Sequence, residues 1–501
     1  MPDYNVTVSM SGTPNTVTGQ YNVKSYGAVG DGTTDDATPI QTCFSAAAAA
    51  GGGVIIFPPD GDYLMDSQIA LTSADNITIS ADGAKVTCGT ATSVGMFQFN
   101  LCDNLRIRGL EIDGDNLAQW GIDFKGCSGT LLEGMWVHDM EDQVVGNSAV
   151  GLRFGNYAGT GGENITINNC WIEDIDGPLN TVARGILFYT YASTGDVLLQ
   201  DITISNCHIN RISPADDGDG IVFQQTKSDA SAPDESINAT VIGCVFNNCY
   251  KRAIKVQNRG VTIVGNSITT DIVGTYAASA WTGNMWAGIG IQENDCVCAG
   301  NVLTATGGAA FQRGITVGFG GNVSVTGNTI LNSTDASGEA EDPWEEADGI
   351  VVEDSAVDSH TENVTVSGNS ISNTERGIYV AYNVDNVAIV GNSIMNSGSR
   401  DIFIYTPADP GDTISNLTIA GNAMNSTGAN IGETLLLVNP HIDIPSLRYT
   451  GGVYHLVGST TPEENNAAPI GSTFVSTGGG SGTTLYVKES GAGTNTGWVG
   501  K

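Results

Sequence analysis

The chain has 501 residues and carries 54 acidic against 19 basic side chains, a formal net charge of −35 with a pI near 4.1. Duplex nucleic acid is excluded as a partner at this charge, because its binding is driven by Lys and Arg neutralising phosphates. With 40% hydrophobic residues the chain has the material for a large core and is not disordered, while 66 glycines and only 15% charged residues describe a turn-rich, uncharged interior rather than a helical one.

The opening residues, Met1-Pro2-Asp3-Tyr4-Asn5-Val6, lack the basic segment and apolar run of a secretion signal, so an extracellular protein of this kind is expected to leave by another route such as lysis. No apolar stretch reaches the ~18 residues of a membrane span, and no membrane insertion is expected. Asp35 and Asp36 precede an alanine-rich stretch, residues 37–50, with Gly51-Gly52-Gly53 behind it. An acidic start and a glycine stop predict one helix here.

Beyond it the chain repeats itself, which decides the architecture before any local reading. One unit appears as Asn164-Ile-Thr-Ile-Asn-Asn-Cys170, Asp201-Ile-Thr-Ile-Ser-Asn-Cys207 and Asn238-Ala-Thr-Val-Ile-Gly-Cys244, then as Val261-Thr-Ile-Val-Gly-Asn266 and Val323-Ser-Val-Thr-Gly-Asn328. A second interleaves with it: Gly185-Ile-Leu-Phe188, Gly220-Ile-Val-Phe223, Ala253-Ile-Lys-Val256, Gly288-Ile-Gly-Ile291, Gly314-Ile-Thr-Val317, Gly349-Ile-Val-Val352 and Gly377-Ile-Tyr-Val380. Each alternates apolar and polar residues, the period of a strand with one buried face. Short strands with no helices between them cannot form ordinary crossovers, so the chain is predicted to wind into a parallel β-helix, an all-β solenoid of about three short strands per coil. Alignment of the copies puts Leu110, Met135, Cys170, Cys207, Cys244, Asn266, Asn301, Asn328, Asn369, Asn392 and Asn422 in one column at one turn. Inward asparagines stacked in this way bond to one another and to the turn backbone. The cysteines of the column, with Cys296 and Cys298, read as buried reduced thiols, since no C-x-x-C or His-Cys spacing marks a ligand set.

The predicted organisation is an N-terminal extension over residues 1–20, a cap with the helix and first strands over 21–85, the solenoid over 86–440, and a small C-terminal β module over 441–501 that can serve in trimerisation. The helix caps the open end of the solenoid, as terminal units must.

Residues 21–36, Tyr21-Asn-Val-Lys-Ser-Tyr-Gly-Ala-Val-Gly-Asp-Gly-Thr-Thr-Asp-Asp36, followed by Ile40-Gln41, the alanine helix, Gly51 to Phe57, Pro58, Gly61 and Tyr63, resemble the opening of the pectate-lyase-like superfamily. That superfamily includes polygalacturonases, alginate epimerases and phage tailspike depolymerases, and the resemblance implies a right-handed helix. The ending, with Pro469-Ile-Gly-Ser-Thr-Phe-Val, Thr483-Thr-Leu-Tyr-Val-Lys and Gly497-Trp498-Val499, is similar to C-terminal segments of phage tail and virion proteins. Together they imply a tailspike-like, extracellular or virion-associated homotrimer acting on polysaccharide, with other virion proteins as further partners. The compact Tyr-Asp-His run of the epimerases and the Gly-His-Gly of the polygalacturonases are absent, although Arg252-Ala-Ile-Lys255 and Asp216-Asp217-Gly-Asp219 echo pieces of the latter.

Strand alternation says which side chains leave the core. With the Ile-x-Val residues inward, the outward column holds Asp123, Lys125, Arg153, Tyr189, Gln224, Lys255, Gln257, Gln292 and Glu353, and the turns entering those strands hold Arg184, Asp219, Lys251, Arg252 and Arg313. Arg106, Arg108, Lys125, Arg153, Arg184, Arg211, Lys227, Lys251, Arg252, Lys255 and Arg259 crowd residues 106–259, a basic stripe on an acidic protein. It points to a cleft for an acidic, uronate-containing polysaccharide. β-Elimination requires a cation on the uronate carboxylate, a base for the C5 proton and an acid at the departing O4. Lys255, crowded by cations, suits the base; Arg252 or Arg184 suits the carboxylate, Tyr189 the acid, and Asp219 lies beside them. Lys125, Arg153, Gln224, Gln257 and Gln292 line the expected binding face, with Trp281 and Trp286 on an insertion beside Tyr276 as sugar-stacking rings or a small local core.

A glycoside hydrolase using Asp216, Asp217, Asp219 or Glu353 is the alternative, and a non-catalytic glycan-binding adhesin the second. No cofactor is required by the elimination reading; calcium is an option because clustered carboxylates suit a hard cation. His208 falls outward on another strand and reads as solvated or structural.

Overall fold

The computed structural model describes residues 19–179, 182–190, 197–213, 217–225, 235–273, 285–333, 347–354, 361–405 and 414–424, followed by shorter pieces to residue 501. From Gln20 to Ile442 its strands form one continuous sheet of 41 described strands in which every pairing is parallel. This is a parallel β-helix. Three ladders run along the rod, and one coil shows their order. Glu163–Asn168 pairs with Gln200–Ser205 of the next coil, Trp171–Asp176 with His208–Ser213, and Val182–Tyr189 with Asp217–Gln224. The expected column at the turn between the first and second ladders is present: Glu111, Trp136, Trp171, His208, Val245 and Ser267 are register partners one coil apart. The residues just before them are therefore Leu110, Met135, Cys170, Cys207, Cys244 and Asn266.

From Asn266 onward this column is a hydrogen-bonded ladder. The Asn301 side-chain amide donates to Asn328 Oδ1 at 2.9 Å and to the Ile263 carbonyl at 3.1 Å, while its own Oδ1 accepts from the Asn266 backbone and side chain at 3.0 and 2.9 Å. The pattern repeats at Asn328, Asn369 and Asn392. All ten cysteines are buried and unbridged, and burial pushes the Cys296 and Cys298 thiols up to about 11 and about 12.

The third ladder holds the Gly-Ile-x-Val segments. Their last residues form an interior column in which Phe99, Phe124, Phe154, Phe188 and Phe223 stack with ring centroids 4.6 to 5.6 Å apart. The glycine opening each segment has a steric cause: a Cβ at Gly185 would lie 2.6 Å from the Gly220 carbonyl oxygen of the next coil. Coils stack too closely there for a side chain.

The helix Ala37–Ala49 lies over the first coil and buries Ile40, Cys43, Phe44 and Ala47. Its acidic start works differently from the expected cap. Asp36 is fully buried and accepts from the Val29 and Gly30 amides at 2.6 and 2.9 Å, tying the helix to the preceding turn, and Asp35 accepts from the Ala37 amide at 3.0 Å. Near the C-terminus, His455–Gly458, Thr473–Ser476, Leu485–Lys488 and Trp498–Gly500 form a separate four-stranded sheet.

Candidate functional site

The outward face of the third ladder is built of three rows. In the strand register, Arg184, Asp219, Arg252, Ala287, Arg313, Asp348 and Arg376 follow one another along the rod, almost alternating in charge. These residues lie inside their strands, not in the entering turns, because the strands begin earlier than the apolar alternation shows: Val182–Tyr189 already contains Arg184, and Asp217–Gln224 contains Asp219. A second row carries Asp123, Arg153, Leu187, Val222, Lys255 and Gly290. Tyr189 and Gln224 are register partners in a third row two residues further on. The single outward column expected from sequence is thus two rows.

Four of the five expected catalytic residues converge, and the hub is a sixth residue, Asp217. Arg184 donates to Asp217 Oδ2 at 2.6 Å and Arg252 to Oδ1 at 3.0 Å, while the amines of Lys251 and Lys255 stand 3.9 and 3.8 Å from Oδ1. Arg252 reaches inward as well, its Nε donating to Asp219 Oδ1 at 2.9 Å. Gln224 accepts from Arg184 at 3.5 Å, joining the cluster from the third row. Among the described residues, four cations gather here around two carboxylates, on a strongly acidic protein.

Burial separates the protonation behaviour of these groups. Asp219 is fully buried; burial lifts its carboxyl above the ordinary carboxylate range, Asp217 adds to the effect and Arg252 opposes it. Burial alone would lift Asp217 too, yet Arg184, Lys255, Arg252 and Lys251 together hold it below that range. The Lys255 amine is lowered by burial first and by Arg252 next, against the pull of Asp219 and Asp217. A lysine that loses its proton more easily and a carboxylic acid that keeps its proton longer therefore share one cluster.

Tyr189 stands apart. Its ring lies 4.4 Å from the Arg153 guanidinium, which also stands 3.8 Å from the Trp120 ring. Asp123, fully buried, gathers Lys125 at 3.0 Å, Arg153 at 3.7 Å and Gln98 at 3.4 Å. Tyr189 is two coils before Lys255 in the register, roughly 10 Å along the rod at ~4.8 Å per strand. It leans toward Arg153 and so is not placed to protonate an O4 at the Lys255 centre. Trp286 belongs to the strand Met285–Ile291 and not to a free insertion, and the guanidinia of Arg252 and Arg313 lie 5.0 and 5.1 Å from its ring. Glu353, the other hydrolase candidate, is buried and bonded to Arg313. Gln257 and Gln292 follow Gln224 by chain position in the third row, half-buried. Trp281, Tyr276, Lys227 and Asp216 lie outside the described residues. His208 is half-buried beneath Trp171 on the second ladder, with ring centroids 4.7 Å apart. Asp217 was legible two residues before Asp219, the strand period that puts both on one face; Trp120 carried no signal, since nothing local marks a lone tryptophan as a stacking partner.

A family model described as rhamnogalacturonase A/epimerase, pectate lyase-like, matches residues 20–116, and one described as right handed beta helix region matches residues 233–431. The chain is a pectate-lyase-like, right-handed β-helix protein. Among curated proteins, a probable rhamnogalacturonase E of Aspergillus flavus is 27% identical over 178 residues, covering 31% of this chain and 38% of that protein. The match thus spans well under half of the relative's length. Among solved structures, the tailspike protein of Escherichia coli bacteriophage HK620 in complex with pentasaccharide aligns with a TM-score of 0.59 at 13% identity, covering 96% of this β-helix chain and 90% of the tailspike chain. PfbA, a surface adhesin of Streptococcus pneumoniae, aligns with a TM-score of 0.55 at 16% identity over 79% of this chain and 94% of its own. At these identities the structural likeness is one of fold.

Proposed function

We propose that this β-helix protein is an extracellular depolymerase that cleaves an acidic, uronate-containing polysaccharide by β-elimination in the groove around Lys255. The observation that carries this reading is a lysine with a lowered pKa inside a cluster whose cations outnumber its carboxylates. A uronate carboxylate would settle against the cationic cluster, where Lys251 and Arg184 are the cations beside partly exposed Asp217. That contact withdraws electron density and acidifies the C5 proton. Lys255, as the neutral amine, would take that proton; the C5 electron pair forms the C4–C5 double bond as the C4–O4 bond breaks, and the Lys255 ammonium returns the proton to O4. One residue in both roles makes a separate acid at Tyr189 unnecessary. Arg252 would hold Asp217 and Asp219 in place rather than touch sugar.

The resemblance to a tailspike bound to a pentasaccharide and to a surface adhesin supports the wider part of the proposal, a glycan partner met outside the producing cell, and the proposal extends to a homotrimeric, virion-borne assembly. Light scattering giving a monomer mass would rule out the trimer. A second reading is favoured by one observation, the opposite displacements of Asp217 and Asp219, which resemble the divided carboxylates of a glycoside hydrolase. The test is incubation with a panel of uronate polymers, recording both reducing ends and the ultraviolet absorbance of unsaturated ends. Both signals rising together, and both lost in Lys255→Ala, support elimination. Reducing ends without absorbance, lost in Asp217→Asn, transfer the function to hydrolysis, and an intact polymer that nonetheless binds makes the protein an adhesin.

A further inference from the structure

The second ladder, which each coil traverses just before it enters the groove, carries two exposed tryptophans that the groove chemistry does not use. Trp136 and Trp171 are register partners on adjacent coils and are 39% and 49% exposed. Most large apolar side chains of this protein are buried, and two aligned indoles at the surface are a feature to explain. Their orientations are fixed. Trp136 packs on His138 of its own strand with centroids 4.2 Å apart, and its indole N–H donates to Glu173 Oε1 at 2.8 Å. Glu173 is in turn held by Asn210 and Arg211, each donating to Oε2 at 3.2 Å. Trp171 packs instead on His208 of the following coil, 4.7 Å between centroids. The two rings lean on different supports, and a shallow cleft of about 300 Å³ opens there, lined by both indoles with Gly134, Met135 and Asn169. Gly134 keeps its mouth clear: it is left-handed, φ 61°, with nothing within 4 Å of where a Cβ would stand.

The geometry points to a second saccharide-binding strip, separate from the groove and taking a neutral sugar ring. Two aromatic faces held by their histidine neighbours, one of them with its N–H satisfied by Glu173, offer apolar surface that fits the C–H face of a pyranose. The neighbours of the rings decide the charge of the ligand. Carboxylates neighbour the indoles: Glu111 is the register partner of Trp136, Glu173 accepts its N–H, and the Arg211 guanidinium is bound to Glu173 and Asp174. Carboxylates beside the indoles disfavour a uronate and leave a neutral sugar as the ligand that suits the rings. The strip therefore differs in specificity from the groove, and its occupation does not depend on which reaction the groove performs.

The test is affinity electrophoresis of the full-length protein through native gels containing galactan, dextran, arabinogalactan or rhamnan, with light scattering of every variant. At least one polymer is expected to retard the protein. Trp136→Ala and Trp171→Ala should each weaken retardation about tenfold, Trp171→Phe should keep most of it, and Lys255→Ala should leave it intact. No retardation by any of the four, or equal retardation of the alanine variants, overturns the strip. So does a fall in molecular mass in Trp171→Ala, which would make the patch a contact between copies of the chain. Failure of the groove reading shows separately, as absence of uronate cleavage by the wild-type protein.

Discussion

Truncation of one rung of the asparagine ladder, Asn301→Ala, measures what holds the coils in register. Asn301 is fully buried. Without its side chain the Asn266 backbone N–H and one side-chain N–H lose the acceptor they reach at 3.0 and 2.9 Å, and the Ile263 carbonyl loses the donor at 3.1 Å. Asn328 Oδ1 keeps the Asn301 backbone N–H at 2.9 Å and so stays satisfied. Three buried groups are left without partners at ~1–3 kcal/mol each, and with some relaxation the loss should be about 3–6 kcal/mol. In a solenoid each coil contacts only its neighbours, so the damage should be local. Hydrogen exchange resolves it: amides of residues 261–268 and 297–305 should exchange about a hundredfold faster or more, one decade per ~1.4 kcal/mol, while coils near Ile107 and Ile122 are unchanged. Asn301→Cys, the residue the chain itself uses two coils earlier at Cys244, retains a weak donor and should lie between. Acceleration below about tenfold in the alanine variant would refute the view that side-chain bonds, rather than the strand ladders alone, secure this turn.

Phe154 sits between Phe124 and Phe188 at 4.6 and 4.9 Å; Phe154→Ala should cost ~3–5 kcal/mol in denaturant unfolding, and a much smaller loss would show that the stack collapses onto the gap. Lys255→Arg should abolish cleavage with the fold intact, because a guanidinium does not give up its proton. In the wild type the lowered amine means that the neutral base accumulates as pH rises through that lowered value, so a pH–rate profile should climb and level off before the ~10.4 of an ordinary lysine; a profile rising only at ordinary lysine pH contradicts the assignment. Asp219 binds its proton more tightly in the folded than in the unfolded chain, so its contribution to stability is present below the ordinary carboxylate range and fades as pH rises through its raised value. Asp219→Asn should flatten that slope in urea titrations at stepped pH, and an unchanged slope would mean that Arg252 keeps it ionised throughout. Binding of an acidic oligosaccharide to the groove should weaken as salt is raised, which calorimetry at two ionic strengths checks.

The architecture was written in the sequence because a solenoid repeats its physics every coil. The asparagine and cysteine column and the Gly-Ile-x-Val strands are local patterns copied many times, and copying lets a weak period-2 signal accumulate until only one winding satisfies it, while the single capping helix was legible from its alanine run and its boundaries. The outward placement of Lys255 followed from the same alternation, whereas Arg184, Asp219 and Arg252 read as turn residues and lie inside strands that begin earlier than the alternation shows. What alternation cannot supply is partnership between coils. The basic stripe reads as a row of cations, yet the tertiary structure closes Arg184, Lys251, Arg252 and Lys255 around Asp217, turns Tyr189 onto Arg153, and presses Trp286 between two guanidinia. Each of those choices depends on which side chains of neighbouring coils meet once insertions of unequal length have been looped out, and on burial, which lifts Asp219 and lowers Lys255. Sequence sets what each coil offers; stacking decides which charges are neutralised and which remain for a ligand.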